Sequence, residues 1–290
     1  MEALVVRQQR PEWRRALYRF GKNPLSVVGV GILAGLFLMA VFAPFIAPYP
    51  GDATGATNFG NRFKPPSWDH VFGTDDAGRD VLSRVIFGAR IDIVAAVFGQ
   101  SIVVLIGLPI GMIAGYMGGK VEAALMSMSD VFITVPPIIL ALTAASMFKP
   151  GIEIAMVAVA MAWWPWLARV IDGVVLHIRE EKFVEASRMV GKGPIKIVFQ
   201  DIFPNLISIL AVKSTLDLSF VLLFISALSY LGVGAQAPTP SWGAMIGEAR
   251  THLPDVWWTS TFPGLFVFIA VLGFSLVGDG LRDSFDIKLQ

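Results

Sequence analysis

VEASRMVG at residues 184–191, followed by IFPN at residues 202–205, is the most informative part of this sequence. Both segments lie within residues 177–205, which hold nine charged residues between long apolar runs. We call residues 177–205 the polar loop. A charged segment between apolar runs of this length predicts a water-exposed docking surface that connects two membrane-spanning helices.

The composition is that of a membrane protein. The chain has 290 residues, of which 55% are hydrophobic and 16% are charged, and its mean hydropathy is +0.66. A soluble domain has about 25% charged residues. The net charge of +1 gives no field that would favour nucleic acid. The absence of cysteine excludes disulfides, thiolate metal sites and cysteine nucleophiles.

The apolar runs predict an all-α, polytopic membrane protein with six transmembrane helices. A spanning helix needs about 20 apolar residues. Suitable runs lie near residues 25–46, 91–116, 122–147, 152–171, 206–230 and 261–280. Pro136, Pro137 and Pro165 interrupt the third and fourth runs, either as kinks that line a passage or as ordinary packing bends. Three glycines of the first run are predicted to be close-packing positions: Gly29, Gly31 and Gly35.

The basic residues predict the orientation. Six spans place both termini on one side, and that side receives fifteen of the 23 Lys and Arg residues, against seven on the other. Because basic residues favour the cytoplasmic side, both termini and the polar loop are predicted to be cytoplasmic. The first apolar run is too long for a cleaved signal peptide and is expected to be retained.

The same pattern divides the chain into regions. Residues 1–24 form a cytoplasmic tail, and residues 25–90 form the first transmembrane helix with an external segment. Residues 91–280 are predicted to form the core membrane domain, which includes the polar loop and an external loop at 231–260. Residues 281–290 form a second cytoplasmic tail.

The polar loop is predicted to fold as two helices joined by a glycine turn. On the first helix, Phe183, Ala186, Ser187 and Val190 share one face through their i, i+3, i+4, i+7 spacing. Gly191 suits the left-handed position that ends a helix.

Pro194 suits the first turn of the second helix. Ile195, Val198, Phe199 and Ile202 are predicted to continue an apolar stripe. Pro204 is predicted to end this helix before the next span. On this pattern alone, an interfacial amphipathic hairpin without a partner explains the loop equally well.

The sequence of the polar loop resembles the "EAA" loop of ABC importer permeases. The family pattern is Glu-Ala-Ala-x-x-x-Gly, nine residues, and Ile-x-Leu-Pro. This chain has Glu185, Ala186 and Gly191 in place, and its last position is Pro204. It departs at three positions: Ser187 replaces Ala, Phe203 replaces Leu, and Asp201 stands where the pattern has Ile and peptide-type members often have His. Asp201 introduces a charge into the docking surface and is expected to alter a pairing there.

Other segments resemble the dipeptide/oligopeptide/nickel-type permeases within this family. They lie, in the same order as in those permeases, at residues 72–84, 88–90, 114–119, 230–234, 240–243 and 278–283. The resemblance covers residues 20–286. It implies the fold of a type I ABC importer permease in the inner membrane, with the pathway formed between two permeases.

The resemblance also implies partners and residue roles. The partners are a second homologous permease subunit, two cytoplasmic ABC ATPases and an external solute-binding protein, and membrane lipid surrounds the spans. The polar loop would contain the coupling helix that enters a groove on an ATPase. Glu185 would pair with a basic group there, Gly191 would allow the turn, and Pro204 would end the element. Ala186, Ser187, Pro194 and Asp201 belong to the same predicted docking loop.

Sequence motifs for catalysis are missing. Gly21-Lys22, Gly119-Lys120 and Gly191-Lys192 do not fit the phosphate-binding pattern Gly-x-x-x-x-Gly-Lys-Ser/Thr. The chain also lacks His-Glu-x-x-His and Gly-x-Ser-x-Gly. We therefore expect no enzyme activity, no metal site and no cofactor in this chain, with ATP and Mg²⁺ bound by the partner ATPases.

Four charged residues lie in or at the ends of predicted spans: Asp130, Asp172, Lys213 and Asp217. Such residues are functional candidates, because a charge within the bilayer is costly. Lys213 and Asp217 are expected to form a structural ion pair near the cytoplasmic interface, and Asp130 is expected to be a polar anchor between helices.

The alternative function is that of an ion-coupled secondary transporter that uses Asp130 or the Lys213/Asp217 pair. A membrane scaffold that only recruits a cytoplasmic partner is a third interpretation.

Dipeptides or oligopeptides are the expected cargo of an importer of this type. Similar permeases also serve glutathione, nickel chelates, opines and some oligosaccharides. Because the external receptor mostly selects the cargo, we expect this chain to hold little information about the substrate.

Overall fold

A computed structural model describes residues 12–285 of the chain, and their regular structure is helical. The helices are α1 (Glu12–Lys22), α2 (Pro24–Val41), α3 (Ala43–Ile46), α4 (Pro50–Ala53), α5 (Val81–Met117), α6 (Gly119–Thr134), α7 (Pro137–Ser146), α8 (Ile152–Ile178), α9 (Lys182–Met189), α10 (Pro194–Ile197), α11 (Phe203–Tyr230), α12 (Trp242–Ala249) and α13 (Trp258–Phe285). Short 3₁₀ turns lie at Phe59–Asn61 and Arg250–His252, and a π-helical turn lies at Val198–Ile202. The predicted tails at 1–24 and 281–290 lie partly outside the described residues.

Within the described residues, five helical segments are long and apolar enough to cross a membrane. They are α2, α5, α8, the unit from Pro194 to Tyr230, and α13. The predicted third span is a bent pair, because α6 and α7 meet at an angle of 86°. Val135 and Pro136 are extended at this break, as expected for residues that precede prolines. Pro165, in contrast, lies inside the unbroken helix α8.

Several predicted helix borders were wrong. Helix α5 begins at Val81 rather than near residue 91, and α8 continues to Ile178 rather than ending near 171. The first span ends at Val41 rather than near 46, and Ala43–Ile46 forms a separate turn of helix with Pro44 at its start. A charge-free run underestimates the length of a helix when charged residues near its end have partners outside the helix. Arg84 and Asp92 of α5 both have such partners.

Helices α5 and α8 are in backbone contact along a stripe of glycines. Gly107, Gly111 and Gly115 are spaced by four residues and therefore lie on one face of α5. A Cβ atom at Gly111 would lie 2.5 Å from the carbonyl oxygen of Ala168, and one at Gly107 would lie 2.8 Å from that of Trp164. Small residues permit this close approach of helices in a membrane.

The first span packs on the last one in a similar way. A Cβ atom at Gly29 of α2 would lie 2.8 Å from Cβ of Leu276, and one at Gly273 of α13 would lie 2.8 Å from Cγ2 of Ile32. Gly29 is thus a close-packing position, as predicted. The same prediction for Gly31 and Gly35 was wrong, since a Cβ atom at either one would meet nothing within 4 Å.

A buried ion network closes the end of the bundle opposite the polar loop. The side chain of Arg84 is 1% exposed, and its Nη1 atom donates to Asp75 Oδ2 at 2.5 Å and to Glu248 Oε2 at 3.0 Å. Arg79 Nε donates to the same oxygen of Asp75 at 2.7 Å. The network therefore ties the segment before α5 to the start of α5 and to α12.

Asp92 of α5 fixes the start of α12. Its carboxylate is fully buried and accepts hydrogen bonds from Ser241 Oγ at 2.8 Å and from the backbone N–H of Trp242 at 2.6 Å. Trp242 is the first residue of α12, so Asp92 satisfies a free amide at the helix N-terminus. The start of α12 is thereby bonded to the second span, α5.

We predict that Gly111→Ala lowers the melting temperature of the purified chain, while Gly31→Ala does not. Each change adds one methyl group to an apolar helix, and alanine is the better helix former at both positions. At Gly111 the methyl group meets the backbone of α8, and such overpacking costs about 1–3 kcal/mol. Thermal unfolding in detergent measures the difference. Equal melting temperatures for the two variants would contradict the close contact of α5 and α8.

Candidate functional site

The polar loop folds as two helical segments around a glycine turn, as predicted. Helix α9 ends at Met189, and Gly191 has a positive φ of 80°, the left-handed conformation that glycine adopts without strain. Pro194 occupies the first position of the next helical segment. Its lack of an N–H has no cost there, because that amide would have no partner within the helix.

The base of the loop is packed into the bundle. Val184, Ile197 and Ile202 are between 0% and 1% exposed. They belong to one apolar cluster with Val175 of α8 and Leu206 of α11. The loop is therefore attached to both neighbouring spans through its side chains as well as through the chain itself.

The outer face of the loop is apolar and exposed. Phe183 and Val190 of the predicted face are 45% and 87% exposed, and Ala186 is exposed between them. Ile195 and Phe199 of the second segment are 75% and 59% exposed. Their exposure on a loop with a buried base is the property expected of a surface that a partner covers.

The predicted apolar stripe of the second segment was wrong in register. Ile195 and Phe199 point outward, whereas Ile197 and Ile202 are buried. The buried pair is spaced by five residues because the chain makes a π-helical turn at Val198–Ile202, in which Phe203 N–H donates to the carbonyl of Val198. A stripe drawn with the α-helical period does not anticipate this extra residue.

The prediction that Pro204 ends the second segment was also wrong. Helical structure continues from Pro194 through the π turn into α11, and Pro204 lies in the first turn of α11. A proline ring clashes with the carbonyl four residues earlier in a regular α-helix, here that of Gln200. Gln200 lies inside the wider π turn, and we attribute the tolerance of Pro204 to this local widening.

Asp201 forms an ion pair within the loop itself. Lys192 Nζ lies 2.7 Å from Oδ1 and 2.8 Å from Oδ2 of Asp201. The side chain of Ser187 also lies next to this carboxylate. Two residues that depart from the family pattern thus contact each other. Sequence reasoning missed this arrangement, although a lysine nine residues before the aspartate was visible.

Glu185 is exposed at one edge of a cleft between the loop and the turn from α5 to α6. The cleft is also lined by Tyr116, Gly118, Arg179 and Arg188. The Arg188 guanidinium stacks on the ring of Tyr116 at 5.4 Å, and Arg179 Nη1 donates to the carbonyl of Gly115 at 2.9 Å. The carboxylate of Glu185 therefore lies where an approaching basic group could reach it.

Three of the four predicted membrane charges form ion pairs: Asp130, Lys213 and Asp217. Asp130 of α6 forms an ion pair with Arg169 of α8, which agrees with its expected role as an anchor between helices. Lys213 Nζ lies 2.5 Å from Asp217 Oδ1, so the predicted ion pair is present on α11. Asp172 is 8% exposed.

Comparison with known proteins identifies the family. Residues 107–290 match the binding-protein-dependent transport system inner membrane component family, and residues 12–66 match the N-terminal TM domain of oligopeptide transport permease C. The chain belongs to the first of these families. It is a multi-pass inner-membrane permease subunit of an ABC importer.

Curated relatives agree with this assignment over nearly the whole permease. The dipeptide transport system permease protein DppC of Alkalihalophilus pseudofirmus is 36% identical over 96% of this chain and 90% of that protein. The oligopeptide transport system permease protein OppC of Bacillus subtilis is 36% identical with the same coverage. The glutathione transport system permease protein GsiD of Escherichia coli is 36% identical over 98% of this chain and 93% of its own length.

A solved structure shows the same fold. A chain of the MetNI methionine ABC transporter, in an inward-facing conformation, superposes on this permease with a TM-score of 0.59 and 20% identity. The match covers 70% of this permease and 97% of that chain. The predicted all-α fold of an ABC importer permease is therefore confirmed.

The ion network around Arg84 and the cap formed by Asp92 were not predicted. Arg84 and Asp75 lie in the segment quoted for the family resemblance, but nothing in the sequence pairs them with Glu248, 164 residues away from Arg84. The sequence feature that could have revealed the cap is the charge of Asp92, which follows Arg90 at the start of an otherwise apolar run. A lone carboxylate there indicates a partner outside the helix.

We predict that Val184→Asp destabilises the permease, whereas Val190→Asp leaves its melting temperature unchanged. The first substitution places a charge without a partner in the apolar cluster, which costs about 3–5 kcal/mol. The second places the same charge on a side chain that is 87% exposed, where substitutions change stability by about 0.5 kcal/mol or less. Thermal unfolding in detergent is the measurement. Equal sensitivity at the two positions would contradict the buried base of the polar loop.

Proposed function

We propose that this chain forms one half of the translocation pathway of a peptide importer and couples it to cytoplasmic ATPases through the polar loop. The exposed apolar face of that loop, on a base buried between α8 and α11, is the observation on which the proposal rests. The partners we propose are a second homologous permease, two ABC ATPases and an external solute-binding protein. ATP and Mg²⁺ are bound by the ATPases.

The site residues have distinct roles in this proposal. Phe183, Ala186 and Val190 enter a groove on the ATPase, and Glu185 pairs with a basic group at its edge. Gly191 and Pro194 set the turn between the two helical segments. Pro204 belongs to the helix that receives the displacement, rather than ending the loop. Ser187 and Asp201 act inside the loop.

The mechanism we propose is alternating access. Closure of the ATPases on ATP displaces the polar loop, and because its base is packed on α8 and α11, those spans move with it. ATP shifts the population toward the outward-open state only to the extent that the closed ATPases bind that state more tightly. The excess of basic residues on the side of the polar loop supports a cytoplasmic position for this loop.

Dipeptides or oligopeptides are the proposed substrates. The names of the relatives support this class, because they refer to dipeptide, oligopeptide and glutathione transport. Nickel chelates, opines and oligosaccharides are the alternatives within the same role. Titration of the cognate solute-binding protein with dipeptides, oligopeptides, glutathione and nickel chelates separates them.

We predict that Val190→Asp and Phe199→Asp each weaken co-purification of the ATPases at least about 10-fold, because a charge at the centre of an apolar interface removes a main contribution to binding. Trp68→Asp is the matched control. Trp68 is fully exposed and lies in the segment before α5, at the opposite end of the bundle. It should retain the ATPases at the level of the unmodified chain.

Two results would contradict the proposal. One is full retention of the ATPases by both loop variants when they are inserted in the membrane normally. The other is uptake driven by an ion gradient alone in vesicles that lack any ATPase, which would favour the secondary-transporter alternative.

A further inference from the structure

The turn of the polar loop has little intrinsic stiffness. Gly191 and Gly193 lie on either side of Lys192, and a Cβ atom at either glycine would meet nothing within 4 Å. Glycine loses more conformational freedom on folding than any other residue. A loop whose turn is held only by these backbone positions would bend when its outer face is pushed.

The pair of Lys192 and Asp201 spans this turn. Lys192 follows Gly191 directly, and Asp201 lies in the π turn that leads into α11. The ammonium contacts both carboxylate oxygens, at 2.7 Å and 2.8 Å. The side chains are 24% and 17% exposed, so this pair is largely shielded from water. Shielded pairs are screened less by salt than exposed ones.

Ser187 connects α9 to the same pair. Its side chain lies next to the Asp201 carboxylate, and its carbonyl accepts a hydrogen bond from the backbone N–H of Lys192 at 3.1 Å. Helix α9, the glycine turn and the π turn therefore meet at one carboxylate. Asn205 donates from Nδ2 to the Asp201 carbonyl at 2.7 Å, which fixes the backbone of Asp201 to the start of α11.

We propose that Ser187, Lys192 and Asp201 form a brace that holds α9 rigidly against the start of α11, so that a displacement of α9 is transmitted across the glycine turn to α11. This inference rests on the proposed function of the loop. The two departures from the family pattern that involve a polar residue, Ser187 and Asp201, lie next to each other. They act as positioning residues inside the loop.

The absence of cysteine in this chain allows a direct test. Single cysteines at Met189 of α9 and Ile207 of α11, which are 77% and 52% exposed, accept spin labels. The distance distribution between the labels is measured by pulsed electron paramagnetic resonance on the full chain in lipid nanodiscs, without any ATPase. The test variants are Lys192→Gln, Asp201→Asn and the reversal that combines Lys192→Asp with Asp201→Lys.

We expect each single variant to broaden the distance distribution about twofold, because local opening follows the loss of the contacts that hold a segment. The charge reversal should restore the narrow distribution. Lys196→Gln is the control, since it removes the same charge from the same loop and leaves the brace intact. Unchanged widths in both single variants, equal broadening in Lys196→Gln, or a reversal as broad as the single variants would each overturn the brace.

A second measurement uses the assembled transporter. We expect Asp201→Asn to retain the ATPases but to lower the ATP hydrolysis stimulated by the solute-binding protein about threefold, and the reversal to recover it. Stimulation equal to that of the unmodified chain, despite a broadened distribution, would overturn the role of the brace in transmission. Failure of the unmodified chain to retain ATPases would instead contradict the proposed function and leave the label distances unaffected.

Discussion

The contact between the backbones of α5 and α8 connects the two ends of this permease rigidly. Three glycines on α5 let its helix axis approach α8 so closely that a single added methyl group at Gly111 would meet a carbonyl oxygen. Packing of this kind resists deformation, because it leaves no space into which one helix could slide. Helices α5 and α8 therefore behave as one body, and every element bonded to either of them moves with that body.

This body has polar contacts at both ends. At one end, Arg84 of α5 is buried between Asp75 and Glu248, and Asp92 caps α12. At the other end, Arg179 follows α8 and donates to the carbonyl of Gly115 on α5, so the beginning of the polar loop is bonded to both helices. An arginine deprived of one buried carboxylate would leave an uncompensated charge, and the ion network is therefore a strong connection between the outer segments and the spans.

Much of the fold was predictable because it depends on local rules. The lengths of the apolar runs predict the spans, the extended conformation before a proline predicts the break at Val135 and Pro136, and the left-handed preference of glycine predicts the turn at Gly191. The helix starting at Val81 was missed because its charged residues are satisfied by partners distant in sequence. The π turn was missed because the hydrophobic period assumes 3.6 residues per turn, and the inserted residue places Ile197, five positions before Ile202, on the same buried face.

The two connections of the polar loop to its neighbouring spans differ in geometry. Helix α9 is separated from α8 by a turn at residues 179–181, whose amides donate to the carbonyls of Val175, His177 and Ile178 at the end of α8. The second segment has no such interruption, since helical structure runs from Pro194 to Tyr230 and accommodates Pro204 by widening. A force on Phe199 therefore acts directly along the helix of α11, whereas a force on Val190 must cross the glycine turn or the turn after α8. A contact that closes the glycine turn makes the two paths equivalent, and the Asp201 carboxylate lies where such a contact has the greatest effect.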